Sequence, residues 1–136
     1  MICLDTNAVI AAINGKHPNV RQNLEAALAD RAAIGMPVIV LYELSYGIRM
    51  SARPQDNADA LAAFLSLGLT IWPFEPEDAE EAGEIRFTLE RAGTPIGPHD
   101  VLIAAQSRRR RALLVTANTG EFARVPGLRM ENWALG

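Results

Sequence analysis

The chain has 136 residues, the usual size of one domain, and 49% of them are hydrophobic, which is enough for a full core and excludes wholesale disorder. Its single cysteine, Cys3, excludes an internal disulfide framework and fits a reducing cytoplasm. The net charge of −3 argues against a protein that binds nucleic acid by bulk charge alone, and no apolar stretch is long enough to be a transmembrane helix.

Short apolar runs and stretches with helical spacing alternate along the chain. The first run, residues 1–4, predicts a buried strand that ends at Asp5. Further strands are predicted at residues 38–41, 69–72, 113–116 and 128–130. Helices are predicted at residues 8–13, 20–31 with Asn19 as a cap, 44–51, 55–67, 76–91 and 99–109. Strands that alternate with helices imply right-handed crossovers, and we expect one α/β domain with a parallel sheet over residues 1–136.

Two charged stretches are interpreted as the solvated ends of helices. Acidic residues crowd the start of the helix at 76–91, where they suit the helix dipole: Glu75, Glu77, Asp78, Glu80, Glu81 and Glu84. Four consecutive arginines, residues 108–111, lie at a helix C-terminus, where cations are favoured. Phosphate binding by these arginines is the alternative.

Three acidic residues each have a purely structural explanation when they are taken singly. Asp5 could cap the helix that follows it. Glu43 could be an exposed position on an amphipathic helix, and Asp100 could complement a helix dipole in the first turn.

Taken together, these acids favour a catalytic site. Asp5 and Glu43 each follow a predicted strand, Asp100 begins a helix at the same edge of the sheet, and Asn118 follows the fourth strand there. Three acids around one crevice repel each other unless a cation lies between them. Oxygen ligands without a Cys or His cluster select Mg²⁺ or Mn²⁺, which can polarise a phosphodiester. The residues therefore indicate a metal-dependent phosphodiesterase or phosphotransfer site.

The same residues lie in blocks that match a known family across essentially the whole chain. The blocks are residues 4–7 (Leu-Asp-Thr-Asn), Glu43, residues 96–105, residues 114–122, and the closing residues 125–128 and 131–133. On these blocks the chain resembles the PIN-domain ribonucleases, in particular the VapC-type toxins of bacterial toxin–antitoxin pairs.

The resemblance implies a fold, a site and partners. The fold is a PIN-like three-layer sandwich, with a five-stranded parallel sheet flanked by helices. Asp5, Glu43 and Asp100 would hold Mg²⁺ or Mn²⁺, with Asn118 as a further catalytic position, and metal-activated water would cleave single-stranded or structured RNA. The implied protein is a cytoplasmic homodimer, has a cognate VapB-type antitoxin and does not bind a membrane.

The sequence departs from the family pattern at Asn118, where many PIN domains carry a fourth acid. Glu121 is close enough in sequence to replace that acid. In the family pattern Thr6 and Thr116 would be hydroxyls behind the metal ligands, and His99 is expected to face solvent.

Other functions are distinguished by single residues. A phosphoaspartyl or receiver domain needs a lysine late in the chain, but the only lysine is Lys16, and the glycine spacing of a P-loop is absent. Two alternatives stay open: a non-catalytic PIN-like domain that binds RNA or protein, and a PIN nuclease of RNA processing without an antitoxin.

Overall fold

In a computed structural model that describes residues 1–135, five short strands form one parallel sheet. The strands are β1 Ile2–Leu4, β2 Ile34–Pro37, β3 Thr70–Trp72, β4 Leu113–Val115 and β5 Arg129–Glu131. Their spatial order is β3-β2-β1-β4-β5, and every neighbouring pair is parallel. The five-stranded parallel sheet expected from the sequence is therefore confirmed.

Helices connect the strands and flank the sheet. They are α1 Thr6–Asn14, α2 Pro18–Ala29, α3 Val38–Met50, α4 Pro54–Leu65, α5 Pro76–Arg91, α6 Pro98–Arg109 and the short α7 Thr119–Phe122, and a 3₁₀ turn follows at Trp133–Leu135. Within residues 1–135, no helix has the length and apolar character needed to cross a membrane.

The strand order places a topological switch between β1 and β4. The chain builds outward from β1 through β2 to β3, then returns to the other side of β1 for β4 and β5. In open parallel sheets, ligands bind outside the carboxyl ends of the strands at such a switch. Asp5 follows β1 and Thr116 follows β4, so these two residues lie on either side of it.

The centre of the sheet is buried on both faces, as a two-sided parallel sheet requires. In β1 and β4, Cys3, Leu4, Leu114 and Val115 are essentially inaccessible to solvent. Burial raises the pKa of the Cys3 thiol well above its usual range, so this cysteine stays a neutral core residue.

The second strand lies elsewhere than the sequence predicts. Residues 38–41 form the first turn of α3, and β2 is the preceding segment Ile34–Pro37. The prediction was wrong because a short apolar run does not distinguish a buried strand from a buried helix. Gly35 belongs in β2 for a steric reason: a Cβ there would lie 1.8 Å from Cε2 of Trp72, whose ring covers the strand.

The start of the second helix also differs from the prediction. Asn19 was expected to cap it, but α2 begins at Pro18, with His17 in the N-cap position. Proline suits the first helical position because its missing N–H would have no partner there.

The two charged stretches also pair with each other, which the sequence did not predict. Glu75, Glu77, Glu80 and Glu84 are exposed, as expected, but Asp78 is buried. The buried Asp78 accepts hydrogen bonds from Nε of Arg109 at 2.6 Å and Nη1 of Arg110 at 2.9 Å. Burial alone would raise the pKa of Asp78, but these guanidinium groups lower it below its usual range. Arg108 pairs in the same way with Glu81 and Glu84. The result is an ion-pair network that joins α5 to α6.

Candidate active site

Asp5 has both a capping and a site-forming position. It is the N-cap of α1, and its Oδ1 accepts a hydrogen bond from the backbone N–H of Ala8 at 2.8 Å. The residue is only 5% exposed. Burial raises the pKa of Asp5, while hydrogen bonds from the Thr116 hydroxyl and from Ala8 act against that rise and the nearby Glu43 adds to it. The carboxylate is therefore fixed in orientation and poorly stabilised as an anion.

Glu43 lies in the second turn of α3, on the side facing the first strand's carboxyl end. Its Oε1 accepts a hydrogen bond from the Thr6 hydroxyl at 2.7 Å. Its Oε2 lies 3.6 Å from Nδ1 of His99, whose ring makes an edge-on contact with Tyr42 at 5.3 Å between centroids. Thr6 thus holds one oxygen of Glu43, as the family pattern implies, and His99 contacts this carboxylate instead of facing only solvent.

Asp100 is in the first turn of α6, which begins at Pro98 after Gly97. Burial raises the pKa of Asp100 to about 6, and repulsion from Glu121, Glu43 and Asp5 adds to the effect. These four carboxylates therefore act on one another through space. The backbone passes close to this side chain, since a Cβ on Gly97 would lie 3.3 Å from Oδ2 of Asp100.

Asn118 positions a further acid. Its Nδ2 donates a hydrogen bond to Oε2 of Glu121 at 2.6 Å, and the backbone N–H of Gly97 donates to Oε1 of Glu121 at 2.9 Å. These two donors lower the pKa of Glu121. The amide of Asn118 thus contacts Glu121, whose charge raises the pKa of Asp100 more than that of Glu43 or Asp5.

The donor chemistry of this crevice fits a hard divalent cation. Asp5, Glu43, Asp100 and Glu121 offer only oxygen ligands, and a cation would relieve the repulsion that raises the pKa of Asp100. In residues 1–135, however, no three acidic, His or Cys side chains are close enough together to hold one ion. The side chains therefore suit a divalent cation in ligand type and charge but not yet in spacing. The carboxylates would have to move closer together to bind it.

Sequence reasoning identified the separate residues and missed the contacts between them. The sequence placed Asp5, Glu43 and Asn118 after parallel strands and Asp100 at a helix start, all at one edge of the sheet. In the structure Glu43 instead lies within α3. The bond from Gly97 to Glu121 joins residues 24 positions apart, so no local pattern indicates it.

A family model described as the PIN domain matches residues 2–128 of the chain. This chain is 42% identical to "Ribonuclease VapC2" of Rickettsia felis over 130 residues, which is 96% of each of the two chains. Over the same share it is 35% identical to "tRNA(fMet)-specific endonuclease VapC" of Salmonella typhimurium.

Two solved structures also superimpose over nearly the whole chain. VapBC2 from Rickettsia felis, bound to a DNA fragment from its promoter, matches with a TM-score of 0.91 and 40% identity over 98% of this chain and 99% of that one. DNA-bound VapBC from Salmonella typhimurium matches with a TM-score of 0.88 and 35% identity at the same coverage.

Proposed function

The chain belongs to the PIN-domain family, and from that premise we propose that it is an endoribonuclease, the toxin of a VapBC-type toxin–antitoxin system. The observation that supports this most directly is the position of Asp5, Glu43 and Asp100 at one edge of the sheet, where their charges repel one another. Relatives at 35–42% identity over 96% of the chain are named as ribonucleases or endonucleases. The substrate class is single-stranded or structured RNA.

The carboxylates of the site bind the metal ion in this proposal. Asp5, Glu43 and Asp100 would hold Mg²⁺ or Mn²⁺, with Glu121 as the fourth acid. The ion, when bound, supplies polarisation of the scissile phosphodiester and lowers the pKa of the attacking water. Three of the carboxylates are already oriented by neighbouring donors: Asp5 by Thr116 and Ala8, Glu43 by Thr6, and Glu121 by Asn118 and Gly97.

A cleavage assay tests the proposal. The purified protein should cut single-stranded RNA in Mg²⁺ or Mn²⁺ and stop in EDTA. Asp5→Asn and Asp100→Asn should abolish cleavage, while Asp59→Asn, an exposed acid on α4, should leave it unchanged. Undiminished cleavage by a double variant of Asp5 and Asp100 would show that these residues are not the site.

The antitoxin should cover the acidic crevice. A guanidinium group can replace the metal between carboxylates because it makes bidentate hydrogen bonds with them. We therefore expect a VapB-type partner that places an arginine among Asp5, Glu43 and Asp100. In a pull-down with the partner encoded next to this chain, Glu43→Gln and Asp100→Asn should weaken the complex; equal affinity would place the contact elsewhere.

The amide at position 118, where many PIN domains carry a fourth acid, favours a second function, a non-catalytic PIN-like domain that binds RNA. Such a protein would bind RNA in Mn²⁺ without cutting it, so the same assay distinguishes the two.

The proposal also includes a homodimer, which sedimentation measures, and a cytoplasmic location, which the buried neutral Cys3 fits.

A further inference from the structure

A pocket of about 330 Å³ lies next to Asp5, since Ala8 and Thr116 line the pocket and both contact that residue. Residues of α1, the turn before α2, the end of β4 and the C-terminal 3₁₀ turn line it. It therefore lies at the switch between β1 and β4, where parallel sheets bind ligands. Its volume is within the ~300–1,000 Å³ typical of sites for small ligands.

The pocket shares a wall with the carboxylate site. Ala8 and Thr116 line it, and both donate a hydrogen bond to Asp5. A nucleotide in the pocket would therefore be adjacent to a phosphate at the carboxylates.

The charge of the pocket suits RNA. Lys16, the only lysine in the chain, and His17 line it, and none of the described residues that line it is acidic. This contrasts with the neighbouring crevice and with a chain whose net charge is −3. A phosphate flanking the scissile one would find a cation here, while Val20 and the partly buried Ala11 provide apolar surface for a base.

Two of the three asparagines that line the pocket, Asn14 and Asn132, are arranged to donate. Oδ1 of Asn14 accepts from the backbone N–H of Lys16 at 2.8 Å, and Oδ1 of Asn132 accepts from that of Ala134 at 2.9 Å. These bonds fix which end of each amide is oxygen, so the end left for a ligand is the NH₂ group. Together with the Lys16 ammonium, these two amides give the pocket three donor groups.

We propose that this pocket binds a nucleobase of the substrate RNA next to the cleaved bond and selects a keto base, uracil or guanine. The carbonyl oxygens at C4 of uracil and C6 of guanine accept the donors of Asn14, Asn132 and Lys16, whereas the amine groups at the same positions of cytosine and adenine would oppose them. This inference rests on the proposed ribonuclease function and adds the base preference of that same site.

Changing a donor to an acceptor at constant shape tests the proposal. In Asn132→Asp, one carboxylate oxygen can still accept from Ala134 while the other replaces the NH₂ donor. Wild type should cut a random-sequence single-stranded RNA with a keto base at one fixed position beside the cut. The variant should shift that preference toward adenine or cytosine by about tenfold, the size of one hydrogen bond lost or gained. Asn14→Asp should shift it in the same direction.

Asn57→Asp is the matched control, since it adds the same charge at an exposed position of α4 and should leave the base preference unchanged. Melting curves identify a pocket variant that fails to fold. In that case the base preference of the other pocket variant tests the proposal. If the wild type cuts RNA with no base preference, or if both pocket variants keep the wild-type preference, the proposal is wrong. It is equally wrong if they weaken antitoxin binding without changing the cut sites, since the pocket would then belong to the protein partner.

A measurement without metal separates this proposal from the proposed function. Trp133 lines the pocket, so its fluorescence should change when uridine monophosphate or guanosine monophosphate is added in EDTA, and change less with adenosine monophosphate. Trp133→Phe should remove the signal, which excludes Trp72 as its source. If the wild type binds these nucleotides selectively but does not cleave RNA, the ribonuclease function is contradicted and the base-binding pocket is not. Equal responses to all nucleotides would overturn the base selectivity.

Discussion

Replacing Asp100 by asparagine should stabilise the metal-free protein at neutral pH. Burial and then repulsion from Glu121, Glu43 and Asp5 raise the pKa of Asp100 from an ordinary 3.8 to about 6. At ~1.36 kcal/mol per pH unit, that difference means that the ionised carboxylate costs the folded state up to about 3 kcal/mol. Because Asp100 is only half-buried and the variant must bury part of an amide, we expect a gain of about 1–2 kcal/mol.

The stability gained by replacing Asp100 should depend on pH. The folded pKa of Asp100 lies above its unfolded value, so the stability that the neutral carboxyl provides is fully present below pH 3.8 and is lost as the pH rises to about 6. Asparagine does not titrate. The advantage of the variant over wild type should therefore be absent in acid and complete above about pH 7.

Urea unfolding in EDTA at several pH values measures this difference directly. Asp59→Asn, an exposed acid on α4, serves as the control and should show no such pH-dependent gain. Mn²⁺ at ~100 times its Kd should stabilise wild type by ~2.7 kcal/mol and the Asp100 variant much less. Equal stability of wild type and variant at pH 7 in EDTA, or a gain that persists unchanged at pH 4, would refute the electrostatic argument.

Three further changes test other parts of the structure. Gly35→Ala places a Cβ 1.8 Å from the Trp72 ring and should cost about 2–3 kcal/mol in a melting experiment, whereas Gly47→Ala, with open space around it, should gain ~0.5–1 kcal/mol. Asp78→Ala removes the buried partner of two guanidinium groups and should cost ~3 kcal/mol. Since the pKa of Asp78 is lowered, wild type should lose that stability as the pH falls below 3.8, which acid denaturation follows. Glu121→Gln should weaken Mn²⁺ binding at least ~10-fold by calorimetry, and unchanged affinity would exclude Glu121 from the site.

The parallel sheet could be predicted because its strands are buried on both faces and read as continuous apolar runs. The position of β2 could not be predicted, since the apolar stretch continues from Ile34 through Leu41 and the packing of the Trp72 ring on Gly35 is not visible in the sequence. Glu43 consequently lies in a helix and does not end a strand. It still belongs to the same edge, because α3 starts at the carboxyl end of β2.

Contacts between distant residues were beyond sequence reasoning. Asp78 and Arg109 are 31 positions apart, and each alone is explained by a helix dipole. Only the antiparallel packing of α5 on α6 brings them together. The roles of Asp5, Glu43, Asp100 and Asn118 as site residues remain predictions, which the cleavage and unfolding experiments address.

The ion pairs between α5 and α6 also affect how the protein would meet RNA. Arg108, Arg109 and Arg110 are neutralised inside the molecule, so three of its thirteen basic residues are not free to displace counterions from a phosphate backbone. The logarithm of the affinity for RNA falls with the logarithm of salt concentration by ~0.7 per phosphate contacted on a single strand. We therefore expect RNA binding by this chain to depend less on ionic strength than its thirteen Lys and Arg residues would suggest, and its choice of RNA to depend on shape and base contacts near the cut.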